Sequence, residues 1–440
     1  MTGAGSARAG SEHEAGPAAA GPRWLTWLLA LAGIVGAGAV LAVWPKDARL
    51  AAAQDWSPFV LVAGLLLIGL TADKDGLFAF AGRQLGRVAR NGTVLFAGAV
   101  VIIAVVTATL NLDTSVAFLT PVLVYTAASQ RTAGSAGAPG AAGVVAGSAL
   151  LYGALLLSNA GSLLLPGSNL TNLIVLGHLQ LTGGQFVARM WLPWLAAVAS
   201  TAAVVAIGER RSLRTVAVRT AAVRTGAMRT ATLRTAAVSS VSARAPESAE
   251  PAELARRPVL GAGLAAVLLA TVLVVTLASP ALAVAAIGVV AAGIRLAQRR
   301  VTLAQVREVL GLPVLIGLFG VAVALGAVGR AWAGPAAFMS HLDGWASAAV
   351  AGLSTVLLNN LPAASLLAAR APGHPLFVLV GLNLGPNLFV TGSLAWLLWL
   401  RAARAAGARP SVARASRLGL VAVPLSMALA LAALTLTGAS

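Results

Sequence analysis

Residues 105–121 read VVTATLNLDTSVAFLTP, and they place an aspartate where an aspartate is expensive. From Thr93 to Ala128 the chain is almost wholly apolar or small, and Asp113 is its only acidic or basic residue. A carboxylate buried in such a setting carries a large desolvation cost, so its presence points to a function. The same stretch interrupts itself. An apolar run meets NLDT at 111–114 and resumes at once as SVAFLTPVLVYTA.

Composition fixes the class. Of 440 residues 58% are hydrophobic and 10% are charged, too oily a balance for the surface of a soluble domain of this size. Long apolar runs recur from about residue 24 to residue 437, several of them near the 20 or so residues that a helix needs to cross a bilayer. Others are too short, and these are the informative ones. With no cysteine in the chain, disulfides, thiolate metal sites and catalytic thiols are excluded. The first apolar run lacks a small-residue cleavage site and is read as a retained helix.

The net charge of +18 is not a nucleic-acid signal. Arginines crowd residues 209–257 and 401–417, and Arg295, Arg299, Arg300 and Arg307 share one short connection. This is the positive-inside pattern. It places the N-terminus, 72–92, 129–140, 209–257, 298–311 and 401–417 in the cytoplasm of a multi-pass plasma-membrane protein. Between Arg214 and Thr235 an Arg-Thr pair returns every five residues, a period of neither helix nor strand, and a Ser/Ala/Pro/Glu stretch follows. The expected organisation is a disordered cytoplasmic segment 1–23, a first membrane half 24–207 with a hairpin at 93–129, a basic linker 208–257, and a second half 258–440 with a hairpin at 344–371.

Each half carries the same irregularity. In the first, NLDT is followed by the interrupted segment LYGALLLSNAGSLLLPGSNLTNLIVLG (151–177). In the second, NNLP (359–362) is followed by VLVGLNLGPNLFVTGSLAWLLWL (378–400). The charge-based topology starts the two units on opposite sides, which makes them an inverted repeat. Paired interruptions in inverted halves mark the midplane site of a secondary transporter. Where a helix stops inside a bilayer its freed N–H and C=O groups need partners, which Asn, Ser and Thr supply, and each restarted half-helix aims its positive end at whatever binds there. The fold expected is an all-α polytopic membrane protein, an inverted repeat with two re-entrant hairpins and two broken transmembrane helices.

The stretch GLNLGPNLFVTGSLAWLLWLRAARAAG (381–407), with VLLNNLPAASLL and NLDTSVAFLTPVLV, resembles the arsenite/antimonite efflux permease family of the ion transporter superfamily, which also holds divalent-anion:sodium symporters and sodium/proton antiporters. The resemblance runs from about Pro58 to Thr437. It implies a scaffold of outer helices, a transport domain with the two hairpins and two unwound helices, and export of a neutral metalloid hydroxide in exchange for protons. It leaves room for a homodimer and for a separate ATPase partner. The first hairpin reads Leu-Asn-Leu-Asp-Thr where the family's is closer to Ala-Asn-Asp, and the Arg-Thr linker is particular to this chain.

The residues divide by chemistry. Asp113 is the candidate for proton or cation coupling, against the alternative of a helix cap. Asn111, Thr114, Ser158, Asn159, Ser168, Asn169, Thr171, Asn359, Asn360, Asn383, Asn387 and Thr391 are the candidate substrate ligands, weighed against service to the unwound backbone. The other acids, Asp55, Asp75 and Glu209 among them, are expected in loops or at membrane edges. Residues 75–90 read as an interfacial amphipathic helix. Trp24, Trp27, Trp191, Trp194, Trp396 and Trp399 read as headgroup-level anchors. The four histidines lack metal-ligand spacing, no phosphate-binding Gly-rich loop is present, and no cofactor is expected. One buried acid without a second catalytic group does not make an enzyme. Two hairpins meeting at midplane suit an occluded site better than a channel. Metalloid efflux is preferred, since amides and hydroxyls suit a neutral trihydroxide; a sodium-coupled dicarboxylate or sulfate symporter and a sodium/proton antiporter are the alternatives.

Overall fold

The computed structural model describes residues 23–132, 147–179, 181–214 and 261–438, and among these the only regular secondary structure is helical. Segments 1–22, 133–146 and most of the basic linker, the Arg-Thr repeat included, lie outside the described residues. Seven helices are long and apolar enough to cross a membrane by length and composition.

Helices α1 (Arg23–Val43), α2 (Pro45–Lys74), α3 (Leu77–Val88), α4 (Gly92–Thr109) and α5 (Leu112–Thr132) open the first half. It continues with α6 (Ser148–Gly161), a 3₁₀ turn at Pro166–Ser168, α7 (Leu170–Leu176) and α8 (Gly183–Gly208). The second half comprises α9 (Ala262–Thr276), α10 (Ala281–Ala297), α11 (Leu303–Leu310), α12 (Leu312–Ala331), α13 (Gly334–Ser340), α14 (Gly344–Leu358) and α15 (Asn360–Leu367). Then come α16 (Pro375–Leu384), a 3₁₀ turn at Gly385–Leu388, α17 (Leu394–Ala405) and α18 (Val412–Leu436).

The order of parts repeats. A long helix, a short surface helix, a hairpin, a broken helix and a final long helix make up α2 to α8, and the same series makes up α12 to α18. Residues 75–90 form α3, whose counterpart is α13. The hairpins turn at Leu110–Asn111 and at Asn359, and the broken helices unwind at 162–169 and 385–393. The Gly-Pro and Pro-Gly pairs there stop helix propagation, because proline has no N–H and clashes with the preceding turn. Local signals start several helices. Asn91 Oδ1 accepts from the Val94 N–H at 2.8 Å, and Asp343 Oδ1 accepts from the Ala346 N–H at 2.7 Å.

Packing sorts the helices into two bundles. In the first, α1 lies on α12, and α2 on α10, α12 and α9. The α1–α12 seam is bare backbone, for a Cβ on Gly33 would stand 2.2 Å from the Gly317 carbonyl oxygen. The second bundle joins both hairpins, both broken helices, α8 and α18. Its two halves pack reciprocally, with α5 of the first hairpin on α17 and α15 of the second hairpin on α7.

Charge clusters on one face, where α3, α10, α11, α17 and the start of α18 place their arginines. Two of the acids expected in loops are buried there in ion pairs. Arg295 Nη2 donates to Asp75 Oδ2 at 2.7 Å, and the Gly263 N–H donates to the same oxygen at 2.8 Å. Arg414 Nε meets Glu209 Oε1 at 2.6 Å and its guanidinium lies over Tyr152. Asp55 too is buried, in the third turn of α2 and not in a loop.

Two of the expected headgroup tryptophans are corrected. Trp24, Trp27 and Trp191 are exposed, but Trp396 and Trp399 are fully buried. Their helix, α17, resumes inside the second bundle against α5 and α6, so both indoles needed protein acceptors. Trp396 Nε1 donates to the Pro386 carbonyl and Trp399 Nε1 to the Leu151 carbonyl, each at 2.8 Å.

Candidate substrate site

Four half-helices, α5, α7, α15 and α17, begin at one small cavity. Its lining is Leu112 and Asp113 from α5, Asn169, Leu170 and Thr171 from α7, Asn359, Asn360 and Leu361 from α15, Ser393 and Leu394 from α17, and Leu318 from α12. Its volume is about 30 Å³, enough to hold water. Among the described residues the lining contains no Lys, Arg or His. Asp113 is its one ionisable side chain.

The tips are built differently. At the first, Asn111 Oδ1 accepts from the Thr114 N–H at 2.7 Å and so caps α5. The cap therefore belongs to Asn111, and Asp113 in the first turn is left facing the cavity. At the second, Asn359 adopts φ 78° and ψ 151°, a region almost reserved for glycine. It is pinned from outside its own hairpin, since Asn359 Nδ2 donates to the Thr391 carbonyl at 3.0 Å and the Asn360 N–H to the Gly392 carbonyl at 2.8 Å.

The broken helices contribute their restart points. Asn169 caps α7 by accepting from the Thr171 N–H at 3.2 Å. Thr171 Oγ1 and Ser393 Oγ, both buried and both in residues that line the cavity, have no hydrogen-bond partner. Among the described residues these two hydroxyls are left to bond whatever occupies the cavity. The backbone supplies more donors, because the first N–H groups of a helix have no intrahelical acceptor and carry its positive end.

Of the sequence candidates, Asp113, Asn169, Thr171, Asn359 and Asn360 line the cavity. Asn111 and Thr114 sit just behind the first tip, with the Thr114 methyl against Gly69 of α2, where a Cβ would stand 2.4 Å away. Ser158, Asn159, Ser168, Asn383 and Asn387 form a polar spine deeper in the second bundle. Asn383 is its hub. It accepts from Ser162 Oγ at 2.6 Å and Asn169 Nδ2 at 2.8 Å, and donates to Asn172 Oδ1 at 2.7 Å and the Leu379 carbonyl at 2.8 Å. That is an amide's full complement across both broken helices. Asn159 Nδ2 donates to Asn387 Oδ1 at 2.8 Å, and Asn387 Nδ2 to the Leu156 carbonyl at 3.0 Å. Ser168 Oγ donates to the Ser162 carbonyl, one of those freed by unwinding. Thr391 Oγ1 donates to the Val356 carbonyl at 2.6 Å and tethers the second hairpin.

Position relative to a helix restart separates the two sets. Every candidate that lines the cavity stands at a cap or in the first turn of a restarted helix, although Asn111 and Thr114 in such positions do not reach it, and every spine residue precedes a restart. Ser393 follows this rule, as the cap position of α17. Leu318 carries no such signal, being one leucine in a long apolar helix.

A family model described as "Citrate transporter" matches residues 21–401, nearly the whole region that contains both repeats. The chain belongs to the citrate transporter family. It is thus a membrane transporter and not an enzyme, and its place is within the broader ion transporter grouping to which its motifs point. No curated protein matches it by sequence. Among solved structures it is similar to the crystal structure of the Alcanivorax borkumensis YdaH transporter, described as having an unusual topology. That similarity has 14% identity and a TM-score of 0.48, covering 94% of this chain and 96% of that one.

Proposed function

We propose that this protein is a secondary transporter that carries citrate or a closely related polycarboxylate together with a cation, through the cavity between the two hairpin tips. The observation that carries this reading is the convergence of the α5, α15 and α17 N-termini on one cavity with orphaned hydroxyls and no basic side chain. Helix ends and amide donors can hold carboxylates without the large desolvation cost of buried arginines.

Asp113 supplies the coupling. A carboxylate facing the same cavity repels an incoming polyanion unless a proton or metal cation has first neutralised it. Cation and substrate then raise each other's affinity, as linkage requires, and the pair travels together. This electrostatics favours symport. Exchange of neutral arsenous acid for protons, the reading suggested by the sequence resemblance, draws support from the neutral amides and hydroxyls of the lining. It gives Asp113 no electrostatic reason to sense its substrate, however. A sodium-coupled dicarboxylate or sulfate symporter shares the coupling logic and differs only in cargo; a sodium/proton antiporter would leave the amide lining without a task.

The cavity is far smaller than citrate, so loading needs the two bundles to part, as expected of alternating access around a fixed site. The arginine-rich face is taken as cytoplasmic on the positive-inside rule. The deciding experiment uses the purified chain alone in liposomes, without ATP and without a partner subunit. Labelled citrate and arsenite are offered in parallel under imposed proton or sodium gradients. Gradient-driven citrate accumulation is the expected result; arsenite movement with no citrate uptake would replace this reading with the metalloid one.

A further inference from the structure

Gln54, in the third turn of α2 on the face opposite the arginines, is unlike any other polar residue of the first bundle. Its side chain reaches both short arms of the second bundle at once. Gln54 Nε2 donates to the Ile174 carbonyl of α7 at 3.0 Å and to the Ala368 carbonyl, just past α15, at 3.2 Å. Gln54 Oε1 accepts from Arg330 Nη2 of α12, and Arg370 Nη2 in turn donates to the Arg330 carbonyl at 2.6 Å. His178 closes the ring, with Nε2 2.6 Å from the Ala368 carbonyl oxygen and 3.3 Å from Gln54 Nε2.

The valences fix the arrangement. The Ala368 oxygen can only accept, so the close approach of His178 Nε2 requires a hydrogen on that nitrogen, and His178 cannot then accept from Gln54. Both amide hydrogens of Gln54 go to the two carbonyls. These lie at the C-terminal ends of α7 and α15, where carbonyls are short of partners: the Ile174 carbonyl otherwise accepts only a long 3.3 Å bond from the Gly177 N–H. One glutamine therefore caps two half-helices that begin at the substrate cavity. Beside it lies a cleft of about 230 Å³, lined by Gln54, Leu61, Pro166, Leu173 and Leu176 among others, which runs from the same face towards the first break.

The inverted repeat offers a comparison. On the arginine-rich face, α5 and α17 are the counterparts of α15 and α7, and α12 is the counterpart of α2. None of the described hydrogen bonds joins α12 to α5 or α17. Among the described hydrogen bonds, this tie of α2 to α7 and α15 has no counterpart from α12 on the other face.

We propose that Gln54 is a positioning residue that latches the two bundles together on the face opposite the arginines, and that its bonds to Ile174 and Ala368 break whenever the site opens to that face. This rests on the transporter reading but not on the identity of the cargo. Because opening separates α7 and α15 from α2 and α12, the latch weights the resting protein towards closure there. Its loss shifts that balance without touching any group that lines the cavity.

The chain has no cysteine, so a single Leu176→Cys gives one buried thiol beside the cleft as reporter. In liposomes of known orientation, its rate of modification by a membrane-impermeant maleimide is measured from each face, without substrate. Gln54→Leu removes both donors; Gln54→Glu removes them while keeping size and the acceptor for Arg330. Either should speed labelling from the face opposite the arginines by about tenfold, the shift expected from losing one or two net hydrogen bonds. Labelling from the arginine-rich face should stay unchanged. A variant that is merely less stable would react faster from both faces, and that outcome, or unchanged rates, overturns the latch. If Gln54→Leu does not reach the membrane, the Gln54→Glu variant decides alone.

Discussion

At the first hairpin tip the chain leaves α4, caps α5 with Asn111 and presents Asp113; at the second it leaves α14, strains Asn359 and presents Leu361. Counted from the helix start, Leu361 occupies the place of Asp113 and Pro362 that of Thr114. Proline has no N–H, so the bond that Asn111 makes at the first tip has no donor at the second. Asn359 is released from capping and is held instead by Thr391 of the second broken helix, while the Asn360 N–H is held by Gly392. One tip is self-supporting and charged. The other is neutral and tied to its neighbour. The same backbone device, used twice, is thereby divided into a part that can sense a cation and a part that fixes the cavity wall.

The largest effect should come from erasing the charge. Asp113→Asn removes the coupling carboxylate and leaves the cap intact, so the cation dependence of substrate affinity, of the order of 5- to 150-fold for coupled sites, should collapse to none. Substrate titrations of the purified protein at several cation concentrations read this directly. Asp113→Ala should behave alike in stability, because Asp113 does not cap. If Asp113→Asn keeps a normal cation dependence, the division of labour between the tips is wrong.

Adding charge tests the neutral tip. Leu361→Asp puts a second carboxylate against the cavity, and substrate affinity should fall by about tenfold while its dependence on cation concentration steepens. Flux against cation concentration, fitted for the number of cations, is the measurement. An unchanged slope would mean that residue 361 does not share the field that Asp113 feels.

The smaller effects concern the caps. Asn111→Ala should cost about 1 kcal/mol of stability through the lost bond to Thr114, visible as a lower unfolding midpoint in detergent. Asn359→Gly should leave that midpoint nearly where it was. Relief of a backbone strain of about 1–3 kcal/mol offsets the lost bond to Thr391, itself worth about 1 kcal/mol. Equal losses at the two positions would show that the tips are held in the same way after all.

Much of this was legible in the residues. Asn, Gly and Pro clusters inside apolar runs announce where a helix cannot continue, and their matching order in the two halves announces the repeat. Asp113 stood out because an acid inside 30-odd apolar residues is costly. The polar candidates were found together but could not be divided, since Asn383 in the spine and Asn360 at the cavity look the same in a sequence. The motifs resemble an arsenite permease and the family model is that of citrate transporters; both carry the broken-helix framework, and the cargo is not written in those stretches.

By itself the sequence determined the membrane class, the helical content, the two interruptions per half and the single acid at a tip, because each follows from local hydropathy and backbone chemistry. Only the tertiary structure decided that Trp396 and Trp399 face protein, that Asn111 and not Asp113 is the cap, and that Gln54 ties α2 to α7 and α15. The physical reason is that burial and hydrogen-bond partnership depend on which helix lies opposite. Residues 54, 174 and 368 are far apart along the chain, and their common corner exists only once the two bundles have packed.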